Sequence, residues 1–586
     1  MRFKLLPLML TVILNFFYSL FGLNRIEAQP IGITVGDWKF QKGDDSTWAT
    51  PQYNDSNWQP IEVGKPWEVV EAGYDGFGWY RKTIVLDSRA MRRSVRRKGS
   101  LVVRLGKIDD ADETFFNGVK IGETGKMPPN AESAWDVDRV YFIPKKLINW
   151  KKQNTIAVRV HDSGGGGGMY AGEYQLEPVT WKQLFDIKIE NNEPSNAFDT
   201  EKPVAINVKL KNGADENLSG TLTIDIKRFT GEDVDSQTER VSVKKGQTVT
   251  VPTMAFDINE VGFYIAHCVF EDHKGNKLTQ KCGFAYEPTK AVSAPTPPED
   301  FKKYWLEARE QLDSVAPDFK LTPTPQYATK KTDVFEVEMR SLGNVRVRGY
   351  YTVPKGKKNL PAMLHVQGYS SVMMPFDIDN QQFAQFFLNI RGHGNSRDDV
   401  NPGFPGYLLT GINEPEKYIY RGAYMDCIRA VDFLASREEV DSNRIVVEGG
   451  SQGGALSIAT SALDKRIKYC MADVPFLSDF RNYFNIARWP SDEFKLYSMT
   501  HFRKMDTILK TLDYIDIKNL APSVTCPVLM GVGLFDDTCP GAINFAAYNN
   551  LSSTDKSFKL YPQSGHALPE KHYTAKLKWL YERMGL

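Results

Sequence analysis

Hydrophobic patterning changes twice along the chain. From residue 30 to about 182, short runs such as Leu101-Val102-Val103-Arg104-Leu105 and Thr155-Ile156-Ala157-Val158-Arg159-Val160 alternate or are β-branched. Turn-rich stretches separate them, including the glycine run Gly164 to Gly168. This predicts an all-β unit over 30–182. Between 185 and 289 the alternation is cleaner, in Val204 to Lys211, Leu222 to Lys227, Val249 to Val251 and Gly262 to Ala266. Strands at that spacing predict an immunoglobulin-like sandwich. Ser293-Ala294-Pro295-Thr296-Pro297-Pro298 reads as a linker, because proline blocks continuation of a sheet. A helical pattern follows from Glu299 to Leu312, with Phe301, Tyr304, Trp305 and Ala308 on one face.

Within 295–586 the period alternates between that of strands and that of helices. Arg346 to Val353, Ala362 to Val366, Gln385 to Ile390, Arg444 to Glu448 and Val528 to Val532 read as strands. Arg421 to Ser436 and Ala455 to Leu463 read as helices. The pattern predicts a mostly parallel sheet covered on both faces.

At 586 residues the chain exceeds what one hydrophobic core supports, so several domains are expected. Lys plus Arg number 73 against 72 Asp plus Glu, which gives no electrostatic case for nucleic acid or an anionic membrane. The 11 Trp and 26 Tyr suit sugar stacking or ordinary core packing. Arg2 and Lys4, the apolar run Leu5 to Leu23 and small Ala28 read as an export signal over 1–28, with an uncleaved anchor as the alternative. No later stretch is apolar enough to span a bilayer, so a periplasmic or secreted protein without stable membrane insertion is expected. The six Cys form no zinc spacing. Cys268 and Cys282 lie symmetrically about Lys274-Gly275, so a disulfide across a hairpin is one possibility.

The sharpest chemical signal is Gly449-Gly450-Ser451-Gln452-Gly453-Gly454, after a strand and before a helix. That context is a nucleophile elbow, a strained turn that lifts a serine hydroxyl above an α/β-hydrolase sheet. Serine needs a base held by an acid, in the chain order Ser, acid, His. His566 suits the base; the later rivals His501 and His572 sit in polar, helix-like segments where a surface His is expected. Asp536 suits the acid, with Asp537 as its neighbour and competitor.

Two resemblances add to this. Trp38-Lys39-Phe40, Tyr53 to Trp58, Trp67-Glu68, Trp79-Tyr80-Arg81-Lys82 and Asp109 to Gly118 resemble the galactose-binding-like jelly roll of family-two glycoside hydrolases. Asp112 and Asn117 read there as strand-end and turn residues rather than ligands. From about Phe301 onward, the elbow is joined by Arg391-Gly392-His393-Gly394, Pro405-Gly406-Tyr407-Leu408, Tyr420 to Asp426, Val474 to Phe480 and Gly533-Leu534-Phe535-Asp536. Together these resemble the acetyl xylan esterase and cephalosporin C deacetylase family, carbohydrate esterase family seven. The resemblance implies Asp536 as triad acid, backbone N–H groups of Tyr369 and Gln452 as oxyanion donors, and no metal or organic cofactor. It implies acetate as the acyl group, on xylo-oligosaccharides or related sugars, in a small pocket with Tyr369, Pro475 and Phe476 as candidate walls. Core packing is an equal reading for Phe476. The chain departs from the family in Gln367 at the oxyanion loop, His393 in the Arg-Gly motif and Ala567 after the histidine.

The expected function is a serine carbohydrate esterase. A prolyl-oligopeptidase-like peptidase and a glycan-binding protein with an inactive hydrolase unit are the rivals. The family often forms hexamers and two added β domains stand against that packing, so the sequence leaves the oligomeric state open.

Overall fold

A computed structural model of the chain describes residues 31–32 and 38–586, apart from 99, 200–202 and 215. The expected export signal lies outside the described residues. Among the described residues no helix is long and apolar enough to cross a membrane.

The first unit is a jelly roll of two facing sheets. One is four-stranded, in the order Ile31–Gly32, Gly168–Val179, Ser100–Asp109, Asp138–Ile143. The other is six-stranded, with Gly76–Val85 and Gln153–Asp162 at its centre. Trp38, Trp67 and Trp79, prominent in the sequence motif, are each at most 1% exposed, so their rings build the interior. Asp112 is buried against Arg139 Nε at 3.0 Å and the Tyr141 hydroxyl at 2.8 Å. Asn117 adopts a positive φ of 52° and accepts from Thr155 N–H at 2.8 Å. Both residues are structural.

The second unit is a sandwich in which Gly262–Asp272 and Lys277–Tyr286 form a hairpin within a five-stranded sheet. The hairpin is where the sequence predicted it, but the register pairs Cys268 with Gln280 and Ala266 with Cys282. Each cysteine is therefore displaced two residues from the other, and both are free and buried. The turn closes through Gly275 N–H to Asp272 C=O at 2.9 Å, which fixes a centre of symmetry one residue before that expected.

The third unit is an α/β-hydrolase built on a nine-stranded sheet. Its core order is Ala384–Asn389, Leu360–Val366, Val440–Gly450, Ile467–Asp473, Val528–Gly533, Lys556–Tyr561, all parallel. Antiparallel strands Val345–Pro354, Thr332–Ser341 and Lys320–Pro323 extend one edge. Helix Lys571–Met584 covers Met363, Val446, Met471 and Leu529 on one face. Helices Phe301–Asp313, Ile419–Ala435, Gln452–Leu463 and Gly541–Asn550 cover the larger core on the other. Burial on both faces explains the continuous apolar runs in these strands.

The linker is strapped down rather than free. Asn549 Nδ2 donates to Pro288 and Ala291 C=O, both at 2.9 Å, and Asn550 Nδ2 to Ser293 C=O at 2.8 Å. The sandwich also packs directly on the hydrolase, with Phe263 against Phe545 at 5.5 Å between ring centroids.

Candidate active site

Strand Val440–Gly450 runs into helix Gln452–Leu463, and Ser451 is the single residue between them. It is held at φ 61°, ψ −121°, a conformation costing a serine about 1–3 kcal/mol. Its neighbours over-determine it. Ser451 N–H donates to Asp473 C=O at 2.9 Å, and its own carbonyl accepts from Phe476 N–H at 3.0 Å and Ala455 N–H at 3.1 Å. A Cβ at Gly449 or Gly453 would lie 2.5 or 2.3 Å from Val366 C=O, so neither position admits a side chain. At Gly450, next to the serine, the nearest atom would be 3.8 Å away. The elbow thus requires glycine two residues from the serine, where backbone passes close, and not beside it.

Asp536 follows strand Val528–Gly533 and is fully buried. Its Oδ1 accepts from Thr538 and Cys539 N–H at 2.9 and 2.8 Å, which aims Oδ2 at His566 Nδ1, 2.9 Å away. His566 follows the next strand, Lys556–Tyr561, and is about one-third exposed. The competitor Asp537 is exposed. The buried Cys539 thiol lies within 4.8 Å of the Asp536 and His566 ligand atoms. Asp536, Cys539 and His566 are close enough to hold a metal. In the structure both Asp536 oxygens accept hydrogen bonds, Oδ1 from Thr538 and Cys539 and Oδ2 opposite His566 Nδ1.

Of the rival histidines, His501 is exposed and stacks on Tyr497 at 4.2 Å. His572 is not the surface residue its polar segment suggested. It is 3% exposed, with Nε2 on Asp473 Oδ1 at 2.7 Å and Nδ1 on the Tyr561 hydroxyl at 2.8 Å.

Gln452 opens the helix, where backbone N–H groups lack intrahelical acceptors and the dipole favours negative charge. Its side chain is locked: Oε1 accepts from the Tyr420 hydroxyl at 2.6 Å, and Nε2 donates to Gln367 C=O and His393 Nε2, both at 3.3 Å. His393 must therefore accept at Nε2 and carry its proton on Nδ1, facing Arg391 C=O. Burial holds His393 down at about 4, which keeps it neutral. Gln367, with its amide oriented to satisfy both atoms, donates to Leu388 C=O at 2.6 Å and accepts from Ile390 N–H at 3.1 Å. It pins the loop after Leu360–Val366 to the neighbouring strand. The Tyr369 ring packs on Phe404, Tyr407 and Trp489, and its hydroxyl donates to Glu493 at 3.0 Å.

Pro475 and Phe476 lie behind the elbow. Phe476 is 1% exposed with its ring on Tyr483 and Phe480, and it meets Ser451 through its backbone N–H. Pro475 is buried, and its carbonyl accepts from Asn544 Nδ2 at 2.9 Å. An open groove of about 610 Å³ is bordered by Tyr369, Phe404, Leu409, Trp489, Leu496 and Tyr497 and includes neither Pro475 nor Phe476.

Beneath the elbow runs a buried charge network that sequence reasoning missed. Lys576 Nζ contacts Glu448 Oε2 and sits 2.9 Å from Asp473 Oδ2; His365 Nδ1 is 2.5 Å from Glu448 Oε1. Burial alone would raise Glu448, but the Lys576 ammonium and the His365 bond reverse this and hold it well below the usual carboxylate range. The available signal was Glu448 itself, a charge directly after the apolar run Ile445-Val446-Val447.

The acetyl xylan esterase (AXE1) family model matches residues 287–583, half of the chain. The acetyl esterase Axe7A of Xylanibacter ruminicola is 26% identical over 323 residues, which are 52% of this chain and 71% of that protein. The β-galactosidase BoGH2A of Bacteroides ovatus is 24% identical over 141 residues, 22% of this chain and 15% of its own. A solved acetyl xylan esterase from Paenibacillus sp. R4 shares 31% identity over 50% of this chain and 98% of its own, with a TM-score of 0.48. By the match to its C-terminal half, this chain belongs to the acetyl xylan esterase family and is a carboxylic ester hydrolase.

Proposed function

We propose that the protein removes O-acetyl groups from acetylated xylo-oligosaccharides or related glycans through a Ser451–His566–Asp536 acyl-enzyme mechanism. Ser451 Oγ attacks the ester carbonyl while His566 Nε2 takes its proton, and Asp536 holds the imidazole from the far side. The tetrahedral oxyanion is received by the Tyr369 and Gln452 backbone N–H groups, donors of a kind worth about 3–4 kcal/mol each. Collapse expels the sugar alkoxide, which takes the proton from His566. Water, deprotonated by His566, then cleaves the acyl-Ser451 ester and releases acetate and free serine.

Two observations support this reading: His566 Nδ1 is fixed 2.9 Å from Asp536 Oδ2, and Ser451 is held at positive φ on an elbow between strand and helix. The apolar segment Leu5 to Leu23 supports action outside the cytoplasm, where such glycans occur. Acetate release from acetylated xylan, mannan and pectin, run beside an acyl-peptide substrate, tests it. Xylan-derived acetate with negligible peptide cleavage is expected. Peptide cleavage without acetate release would favour a peptidase, and turnover of neither would favour a glycan-binding protein.

A further inference from the structure

Away from the hydrolase, three carboxylates meet at one end of the jelly roll. Asp109 ends strand Ser100–Asp109, Asp110 precedes strand Ala111–Phe116, and Asp162 ends strand Gln153–Asp162. One oxygen from each lies within 4.8 Å of one from each of the others. Each Asp110 oxygen accepts one hydrogen bond, Oδ1 from the Ser133 hydroxyl and Oδ2 from Ser163 N–H at 2.9 Å, and keeps a second lone pair.

Asp162 is different. It is 1% exposed, its Oδ1 accepts from Gly164 N–H at 2.9 Å, and its Oδ2 is buried without a hydrogen-bond partner. A second orphan sits close by. Glu68 Oε1 accepts from Gly167 N–H at 3.1 Å, while Glu68 Oε2 is buried and unpartnered. A Cβ at Gly167 would lie 2.5 Å from Asp162 Oδ2, so both orphan oxygens belong to groups gathered about one glycine. A buried carboxylate oxygen with nothing to accept from is costly. Arg139 is committed elsewhere, to Asp112 and to the carbonyls of Ala134, Val137 and Asp110.

We propose that Asp109, Asp110 and Asp162 bind one hard divalent cation of the calcium class, tying the glycine-rich loop after Asp162 to the end of strand Ser100–Asp109. The donor set is all oxygen, without Cys or His, which selects calcium or magnesium over zinc or copper. Carboxylates, which can bind through one oxygen or two, suit the variable coordination of calcium better than the strict octahedron of magnesium. All three carboxylates belong to the jelly roll and none to the hydrolase unit, so the effect is expected on the jelly roll and not on ester chemistry.

Calorimetric titration of the chelator-treated full chain with calcium chloride alone tests this. One site per chain is expected, with Kd of about 10⁻³ M or tighter, the range of extracellular calcium modules. A rise in the temperature of the jelly-roll unfolding transition should accompany it. Asp162→Asn should lose the binding heat and the shift while p-nitrophenyl acetate turnover stays unchanged. Absence of both heat and thermal shift in the wild type overturns the proposal, as does binding that persists unaltered in Asp162→Asn. If that variant does not fold, Asp110→Asn takes its place, and the wild-type titration still decides.

Discussion

Gly283, on an inner strand of the middle sandwich, donates its backbone N–H to Pro562 C=O at 2.7 Å, four residues before His566. The same glycine lies against the acid loop, since a Cβ there would stand 2.5 Å from Leu534 Cβ, two residues before Asp536. The two loops are themselves joined, by Leu534 N–H to Tyr561 C=O at 3.1 Å and Phe535 N–H to Ser564 C=O at 2.9 Å. The sandwich is therefore a buttress for the loops that carry His566 and Asp536, and not merely a spacer.

Gly283→Val should then act at a distance. Forcing a side chain into this contact is expected to cost about 1–3 kcal/mol of stability. It should also lower kcat on p-nitrophenyl acetate with little change in KM, because the loops shift and the groove beside Tyr369 does not. Unchanged kcat in a folded variant would refute the buttress.

The elbow glycines should differ sharply. Gly453→Ala places a Cβ 2.3 Å from the Val366 carbonyl, which is backbone and cannot yield, so soluble expression or activity should be lost. Gly450→Ala meets nothing nearer than 3.8 Å and should keep at least about half of wild-type activity, since ordinary contact carries little strain. Equal tolerance at both positions would contradict the geometry described here.

His393 gives a pH dependence of defined sign. It is held at about 4 in the folded protein, below its ordinary value of 6.5, so only the unfolded chain takes up a proton between those values. Its contribution to stability is present above pH 6.5 and is lost as pH falls towards 4. His393→Gln keeps a partner for Gln452 without a titrating group and should flatten the stability profile in that window. Urea denaturation at several pH values measures it, and parallel profiles for the two proteins would exclude His393 as the source.

Lys576 bridges two carboxylates beneath the elbow, so Lys576→Met leaves Glu448 and Asp473 buried without their cation. Breaking a buried pair on one side costs about 3–5 kcal/mol. The variant should show that loss in urea denaturation; a loss under about 1 kcal/mol, the worth of a surface pair, would mean that the network is solvated.

Much of this architecture was legible because it rests on local pattern. Period-two alternation marked both β units, and continuous apolar runs marked the parallel strands. The sequence Gly449 to Gly454 marked the strand-to-helix turn that holds Ser451. What was not legible depends on register or on tertiary partners. The Cys268–Cys282 separation turned on where the turn at Gly275 centres, which a one-residue shift reverses. His572 sits in a polar helix yet is buried, because Asp473 and Tyr561 from distant strands supply partners that composition cannot show. The buttress at Gly283 is invisible in sequence, since a glycine there reads as any strand glycine.

The central claim is that the Ser451 hydroxyl is the nucleophile and His566 its base. Hydrolysis of p-nitrophenyl acetate by Ser451→Ala, His566→Ala and the double variant, each verified as folded by circular dichroism, tests it most directly. Each single variant should lose about 10⁴-fold or more in kcat, and the double variant should be no worse than either, because the groups act as one unit. Undiminished turnover in Ser451→Ala, or losses that multiply in the double variant, would contradict it.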